Sequence, residues 1–399
     1  MATSGSFASS FERLTVRTVD RESSRVGAVH VHREVEYSVL LPPDFDGKLW
    51  RANEIAHNDV NRSVLLFTPM GASSEMLGCW HDVVGYEQAK HGSRLRNTKL
   101  ISVNKPSIGS TTPAFVNLPH SSHLDPQQLV DAVCEGSDVL SNENMFRLAE
   151  HLDDVMKVLE VEGVRRVNVV SMCLGTPSVS AFCVRLLLAE KRQDEGFPRL
   201  LLPVSLTGPW VCTECPHSMG WARFGNQVHP FLKNIGIGVA TTFMSSMLGS
   251  VSSMPTSVQP YMQKQQLSEE ERLPFEETDY ERAQPMFEQF LAKTSAAGRL
   301  EVHLALEVAW GAIVDRMGEL LSQKDGDDRT LQIYAAGRDG MTPPDAVDWM
   351  GRRLLGEKCS SGAIRWFRNW GHDGLLCGGG PIRHPVLLEE ILNDFFGVR

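Results

Sequence analysis

A sharp change of direction between residues 166 and 188 limits the folds open to this chain more than any other feature. Arg166–Val170 (RVNVV) has the short, β-branched pattern of a buried strand, and Ser178–Leu188 has the pattern of a helix. Ser171–Gly175 (SMCLG) joins them and predicts a tight turn. A buried strand that runs directly into a helix is typical of a parallel sheet covered by helices. The sequence therefore predicts an α/β fold.

Other short apolar runs bounded by Pro or Gly predict further strands of the same sheet. They cover residues 34–41, 63–67, 100–103, 199–206, 330–335 and 363–367. Helical periodicity predicts helices at 144–160, near 299–321 and at 386–396. No strand pattern is clear between 211 and about 325. The chain therefore looks like one large α/β domain with an insertion, or like two domains.

This pattern divides the chain into four parts. Residues 1–28 are Ser- and Arg-rich and are predicted to be a flexible arm, with an edge strand as the alternative. Residues 29–210 and 326–399 are the first and second parts of the core, and 211–325 is a helical insertion. We find no internal repeat in the sequence.

The net charge and the cysteine content restrict the classes of binding partner and the cellular location that we expect. The formal net charge is −10, which argues against a nucleic-acid partner because no basic surplus can neutralise phosphates. The eight cysteines are scattered and no secretory pattern opens the chain, so we expect free thiols and a cytoplasmic location. Ile235–Met254 is uncharged but rich in Ser, Thr and Gly, so we expect no stable membrane insertion. The oligomeric state stays open, with a homodimer among the alternatives.

The strand, the Ser-x-Cys-x-Gly turn and the helix match a nucleophile elbow, in which a reactive side chain projects from the apex of a strand-to-helix turn. Cys173 is the apex, and the small residues Ser171 and Gly175 let the strand and helix approach each other. Here the chain resembles the α/β-hydrolase superfamily over roughly residues 34–399. It is most similar to cap-bearing members with Cys in place of the nucleophilic Ser, as in dienelactone hydrolases, thioesterases and Dieckmann-type cyclases. The resemblance implies a mainly parallel sheet with helices on both faces and an inserted helical cap.

The resemblance also implies a catalytic triad in the order nucleophile, acid, histidine. Asp339 stands in a Gly/Pro-bounded turn after the predicted strand at 330–335, where the family has its acid. His372 stands in a Gly-His turn after the strand at 363–367, where the family has its base. Cys173, Asp339 and His372 are therefore the predicted catalytic residues.

Two further segments stand where the family has conserved loops. Residues 68–73 (TPMGAS) replace the His-Gly-x-Gly oxyanion loop, and residues 104–110 (NKPSIGS) replace an Asp-Arg-Pro-Gly-x-Gly-x-Ser turn. The resemblance assigns the oxyanion hole to the backbone N–H groups of Met70 and Leu174. The chain departs from the family in its Cys nucleophile, in Ser171 and in the missing His-Gly pair.

Several alternatives to this assignment remain. Cys173 is a buried structural thiol in the alternative interpretation, because free Cys is among the most buried residue types. Asp345 and Glu214 are rival acids, and Ser171 is a disfavoured nucleophile because it falls at the strand end. Cys212-Thr213-Glu214-Cys215 is a weak zinc or redox motif, since a structural zinc site needs four ligands.

The insertion carries apolar residues that would line a pocket or form the cap's own core. The assigned substrate-binding residues are Trp210, Trp221, Phe224 and His81. The substrate is then a medium-sized apolar acyl compound, with no metal and no organic cofactor because the triad supplies acid, base and nucleophile. The first expected activity is hydrolysis of an ester, thioester or lactone through an acyl-thioester. The alternatives are an acyltransferase or Dieckmann-type cyclase on the same triad, and a non-catalytic ligand-binding protein.

Overall fold

A computed structural model describes most of the predicted core. The described residues are 14–25, 29–40, 62–69, 72–80, 98–106, 108–112, 143–212, 214–217, 310–324, 330–337, 339, 342–356, 363–368 and 386–396. Five of the predicted site residues lie outside them, namely Met70, His81, Trp221, Phe224 and His372. Most of the predicted cap, residues 218–309, also lies outside the described part.

The nine described strands form one mainly parallel sheet, as the sequence predicts. They are β1 (Leu14–Arg25), β2 (Val29–Leu40), β3 (Arg62–Phe67), β4 (Thr98–Val103), β5 (Arg166–Met172), β6 (Arg199–Leu200), β7 (Val204–Thr207), β8 (Leu331–Ala336) and β9 (Ile364–Phe367). Their order is β1-β2-β4-β3-β5-β7-β8-β9, with β6 beside the start of β5. The β1–β2 and β2–β4 pairs are antiparallel, and the other pairs are parallel.

Helices cover both faces of this sheet. They are α1 (Glu143–Val161), α2 (Thr176–Arg192), α3 (Gly311–Ser322), α4 (Pro344–Leu355) and α5 (Val386–Phe396), with a 3₁₀ helix at Ser74–Trp80. Neighbouring strand residues belong to different core clusters, because side chains along a strand alternate between faces. Leu65 belongs to the core cluster that contains residues of α1 to α4, whereas Leu66 belongs to the cluster that contains residues of α5 and the 3₁₀ helix.

The segment Cys173–Arg192 is long and apolar enough to span a membrane by length and composition alone. However, 89% of its apolar stretch is buried inside the protein. It therefore has the properties of a core helix, which passes the same composition test.

The β1–β2 hairpin is attached to α1 by a buried cluster of charges. Arg33 is fully buried, and its guanidinium donates to Glu150 and Asp154, at 2.8 Å for each ion pair. Arg21 on β1 pairs with the same two carboxylates. Buried charges are tolerated only when they are paired and hydrogen-bonded. These contacts place Leu14–Arg25 in an edge strand, within the stretch that the domain division had assigned to a flexible arm.

Two further elements differ from the sequence-based prediction. The predicted strand 199–206 is two short strands, because Pro203 has no N–H to donate to a continuous ladder. Helix α4 was not predicted, although Pro344 stands at its first turn and Val347, Met350 and Leu354 recur at helical spacing on its buried side.

Candidate active site

The carboxyl ends of the parallel strands bring the predicted site residues to one edge of the sheet. Cys173 follows β5, Trp210 follows β7 by three residues, and Asp339 follows β8 by three residues. Because β5, β7 and β8 are parallel neighbours, their carboxyl ends lie side by side. Ligands of open α/β sheets bind at this edge. The fold thus gathers two members of the predicted triad.

Cys173 has a strained backbone at the apex of the turn between β5 and α2. Its φ is +47°, in the left-handed region that non-Gly residues rarely adopt. Among the described residues, Gln193 is the other non-Gly residue with positive φ, and it ends α2 in the left-handed conformation usual for a helix C-terminus. A strained backbone costs about 1–3 kcal/mol and is concentrated at functional sites. Cys173 has the geometry of a nucleophile elbow.

Three donors hold the carbonyl group of Cys173. Thr176 donates to it through Oγ1 at 2.7 Å and also through its backbone N–H. The backbone N–H of Trp210, which comes from the loop after β7, donates to the same oxygen at 3.1 Å. The turn that carries Cys173 is therefore fixed both by its own helix and by a neighbouring loop.

Gly175 permits the close approach of α2 to β3. A Cβ atom at this position would lie 2.5 Å from the Phe67 carbonyl oxygen, well inside van der Waals contact. Its φ of −68° is open to any residue, so the requirement for glycine comes from space and not from backbone conformation. The small residue predicted two positions after Cys173 has this physical role.

Gly175→Ala is expected to lower the free energy of unfolding by about 1–3 kcal/mol, the usual cost of overpacking. It should also impair any activity of Cys173, because α2 and the turn must move away from β3. Chemical denaturation with circular dichroism measures the first effect. Gly196→Ala is the matched control, since a Cβ there meets no atom within 4 Å. Equal stability of the two variants would contradict this role of Gly175.

Asp339 is buried and its carboxylate is oriented by the turn that carries it. The side chain is 4% exposed, and Oδ1 accepts a hydrogen bond from the Thr342 backbone N–H at 2.8 Å. The two rival acids occupy different surroundings. Asp345 is exposed in the first turn of α4, and Glu214 is exposed and accepts from the Gly311 N–H at the start of α3.

The Cys-x-x-Cys motif lies just beyond Trp210 at the start of the predicted cap. Cys212 and Cys215 are both buried thiols that form no disulfide, and the Cys215 N–H donates to the Cys212 carbonyl in a turn. Burial, together with Glu214, raises the pKa of the Cys212 thiol despite the nearby Arg353 guanidinium. Within the described ranges no group of three or more His, Cys, Asp or Glu side chains could hold a metal ion.

The predicted oxyanion hole is described in part. Leu174 is fully buried directly after Cys173. Sequence reasoning missed two polar residues near this edge, Thr176 and Lys105. Lys105 follows β4, is 1% exposed and donates from Nζ to the Pro69 carbonyl oxygen at 3.0 Å. A hydrogen bond between loops 36 positions apart leaves no local pattern in the sequence.

Solved structures share this architecture over nearly the whole chain. An α/β hydrolase enzyme from a Medee basin deep-sea metagenome library has a TM-score of 0.51 at 11% identity, over 92% of this chain and 95% of its own. The chain has the α/β-hydrolase fold. The 2-hydroxy-6-oxo-6-phenylhexa-2,4-dienoate hydrolase of Rhodococcus sp. strain RHA1 has a TM-score of 0.50 at 10% identity, over 96% of this chain and 100% of its own.

A third solved structure with this similarity is that of a transferase by name. Homoserine O-acetyltransferase from Staphylococcus aureus has a TM-score of 0.50 at 10% identity, with 95% of each chain covered. No protein-family model matches the sequence, and no curated protein matches it significantly. At these identities the similarity establishes the fold, and the chemistry has to be argued from this chain's own residues.

Proposed function

We propose that this α/β-hydrolase-fold protein is an enzyme that acts on a medium-sized, apolar ester, thioester or lactone through a thioester formed on Cys173. The observation that carries the proposal is the left-handed backbone of Cys173, with φ at +47°, at a strand-to-helix turn. A merely structural thiol gains nothing from this strain, whereas a nucleophile gains a fixed, projecting position. Cys173 and Cys183 are both buried, but Cys183 lies within the regular backbone of α2 and is therefore the structural thiol for comparison.

The proposed reaction begins when His372 accepts the proton of the Cys173 thiol. Sγ then attacks the carbonyl carbon of the ester, and the carbonyl oxygen becomes an oxyanion that the backbone N–H groups of Leu174 and Met70 stabilise. The tetrahedral intermediate collapses to a thioester. Its leaving alcohol takes the proton from His372. Water, deprotonated by His372, then hydrolyses the thioester, and Cys173 recovers its proton.

Asp339 is proposed to orient His372 and to stabilise the imidazolium that forms. Two observations support this role. Asp339 stands at the carboxyl end of β8, and the Thr342 N–H fixes its carboxylate from one side. Its burial strengthens the interaction with a positively charged imidazolium, because water screens it less.

The acyl acceptor decides whether the net reaction is hydrolysis or transfer. A thioester reacts with water and also with amines, thiols and carbanions, so an acyltransferase or Dieckmann-type cyclase would use the same first step. The fold does not distinguish hydrolysis from acyl transfer, because a hydrolase and an O-acetyltransferase are both similar to this chain at TM-scores of 0.50. We put hydrolysis first because it needs no second substrate site. Trp210, beside Cys173, is proposed to contact the acyl group, together with Trp221, Phe224 and His81.

The test is turnover of p-nitrophenyl esters with acyl chains of two to eight carbons, an aryl thioester and a δ-lactone. We expect release of the free acid from at least one of them, with preference for an apolar acyl chain. A transferred acyl group in the presence of an added amine or alcohol would assign the transferase instead. Saturable binding without turnover in every case would contradict the proposed function and favour a ligand-binding protein.

A further inference from the structure

Thr176 is the first residue of helix α2, and its hydroxyl group makes a contact that differs from ordinary helix capping. A Thr at a helix N-terminus usually caps the helix by accepting from a backbone N–H. Thr176 follows the N-cap residue Gly175, and its Oγ1 instead donates backwards to the Cys173 carbonyl at 2.7 Å. The side chain is fully buried. Its hydroxyl therefore acts on the backbone of the predicted nucleophile.

The Cys173 carbonyl accepts more hydrogen bonds than burial alone requires. A carbonyl oxygen has two lone pairs, and the backbone N–H groups of Thr176 and Trp210 also donate to it, the second at 3.1 Å. Ser171 Oγ lies 3.4 Å from Thr176 Oγ1. Because the single hydroxyl hydrogen of Thr176 is used on the Cys173 carbonyl, Ser171 is the donor in this contact. The two hydroxyl groups thus form a chain that ends on the Cys173 carbonyl, and such chains strengthen each bond in them.

The position of these contacts matters because of peptide chemistry. The Cys173 carbonyl and the Leu174 N–H belong to one trans peptide group. Such a group is planar, so its C=O and N–H point in opposite directions. The donors that fix the carbonyl oxygen therefore also fix the direction of the Leu174 N–H. They polarise the peptide as well, which makes this N–H a stronger hydrogen-bond donor.

We propose that Thr176 is a positioning residue of the oxyanion hole, whose hydroxyl fixes and polarises the Cys173–Leu174 peptide through the Cys173 carbonyl. The inference rests on the proposed function, because it assumes that the Leu174 N–H receives the oxyanion. The Leu174 nitrogen is three bonds from Cβ of Cys173, so an oxyanion on a carbon attached to Sγ forms close to this N–H. The proposal also gives a role to Ser171, at which the chain departs from the family's elbow.

Two reactions of the same thiol separate this role from a general effect on Cys173. Acylation by p-nitrophenyl acetate passes through an oxyanion, whereas alkylation by iodoacetamide is a displacement at a saturated carbon and forms none. In Thr176→Val the acylation burst is expected to slow about 10-fold, less than the ~10²–10³ cost of deleting an oxyanion donor, because the Leu174 N–H remains. Alkylation of Cys173 should stay within about twofold of wild type.

Thr176→Ser tests whether the hydroxyl group itself is responsible. Serine loses the methyl group of Thr176 but keeps an oxygen that can donate to the Cys173 carbonyl, so acylation should return to within about threefold of wild type. Thr207→Val is the matched control. Thr207 is fully buried at the carboxyl end of β7, and its Oγ1 has no hydrogen-bond partner among the described residues. The control should leave the ratio of acylation to alkylation unchanged.

Thr176→Val is expected to fold, because two backbone N–H groups still satisfy the Cys173 carbonyl and valine keeps the branched shape of threonine. Circular dichroism and a thermal melt check this before the kinetics. If the variant does not fold, Thr176→Ala is measured instead, with the same expected loss of acylation. Alanine also lacks the hydroxyl and is the better helix former.

Four outcomes would overturn the proposal in distinguishable ways. A wild-type ratio of acylation to alkylation in Thr176→Val would remove the positioning role and leave the proposed function intact. An equal loss of both reactions would show that Thr176 acts on the thiol or on the turn as a whole. A loss that Thr176→Ser does not restore would assign the effect to packing of the methyl group. Absence of acylation in the wild type with every ester would overturn the proposed function, and the role of Thr176 with it.

Discussion

Cys173→Ala is expected to lose ester turnover by a factor on the order of 10⁶ in kcat, the scale seen when a covalent nucleophile is removed. Alanine has no atom that can attack a carbonyl carbon, and the remaining oxyanion donors and binding contacts give only weak residual catalysis. Initial rates with the best ester of the panel measure this. Cys183→Ala, which removes a thiol buried in α2, is the matched control and should keep full activity.

Cys173→Gly should be equally inactive and more stable than wild type. Glycine adopts a φ of +47° without strain, so the variant is expected to gain about 1 kcal/mol in the free energy of unfolding. A stability gain together with lost activity is the pattern of a strained functional residue. Full activity of either Cys173 variant would eliminate covalent catalysis at this position. A stability loss in Cys173→Gly would contradict the strain argument.

Asp339→Asn is expected to lower kcat by about 10⁴-fold, which is the second large effect that we predict. The amide removes the negative charge that stabilises the imidazolium and favours the wrong tautomer of His372. Asparagine keeps an oxygen that can accept from the Thr342 N–H, so the midpoint of thermal unfolding should change little. Enzyme kinetics and a thermal melt on the same sample separate the two effects.

Asp345→Asn and Glu214→Gln are the controls for Asp339→Asn. Asp345 is exposed on α4, so its amide variant should retain wild-type kcat. Glu214 accepts from the start of α3, so its variant should lose some stability and little activity. Loss of kcat in either control, with Asp339→Asn active, would move the triad acid to that residue.

The sheet follows closely from the sequence because its strands are short, fully buried apolar runs. Every residue of β4 and β8 is buried, and such runs between Pro or Gly are easy to recognise. The β1 strand was harder, since Leu14–Arg25 is strongly polar. Arg21 on this strand pairs with the carboxylates of Glu150 and Asp154 on α1, more than 120 positions away in the chain. The local composition around β1 does not indicate these distant contacts.

In the candidate site, too, some residues are recognisable from local sequence patterns and others depend on contacts that only the fold creates. Cys173 and Asp339 can be predicted as candidates because the elbow and the acid turn are local patterns with fixed small residues. Thr176 and Lys105 were missed because their roles depend on which carbonyl each meets in the folded chain. Local sequence patterns indicate candidate reacting groups, whereas the hydrogen bonds around these groups arise only when separate strands meet at one edge of the sheet.

Labelling of each cysteine by iodoacetamide at about pH 6 shows directly whether the Cys173 thiol is activated by His372. An ordinary thiol with a pKa near ~8.5 is almost wholly protonated there and reacts slowly. Burial raises the pKa of the Cys183 and Cys212 thiols, so both serve as unreactive internal standards. Peptide mass spectrometry would rank all eight cysteines in wild type and in His372→Ala. Fast labelling of Cys173 alone, lost in His372→Ala, is the expected result, whereas slow labelling of Cys173 at the rate of the two standards would contradict an activated thiolate at this position.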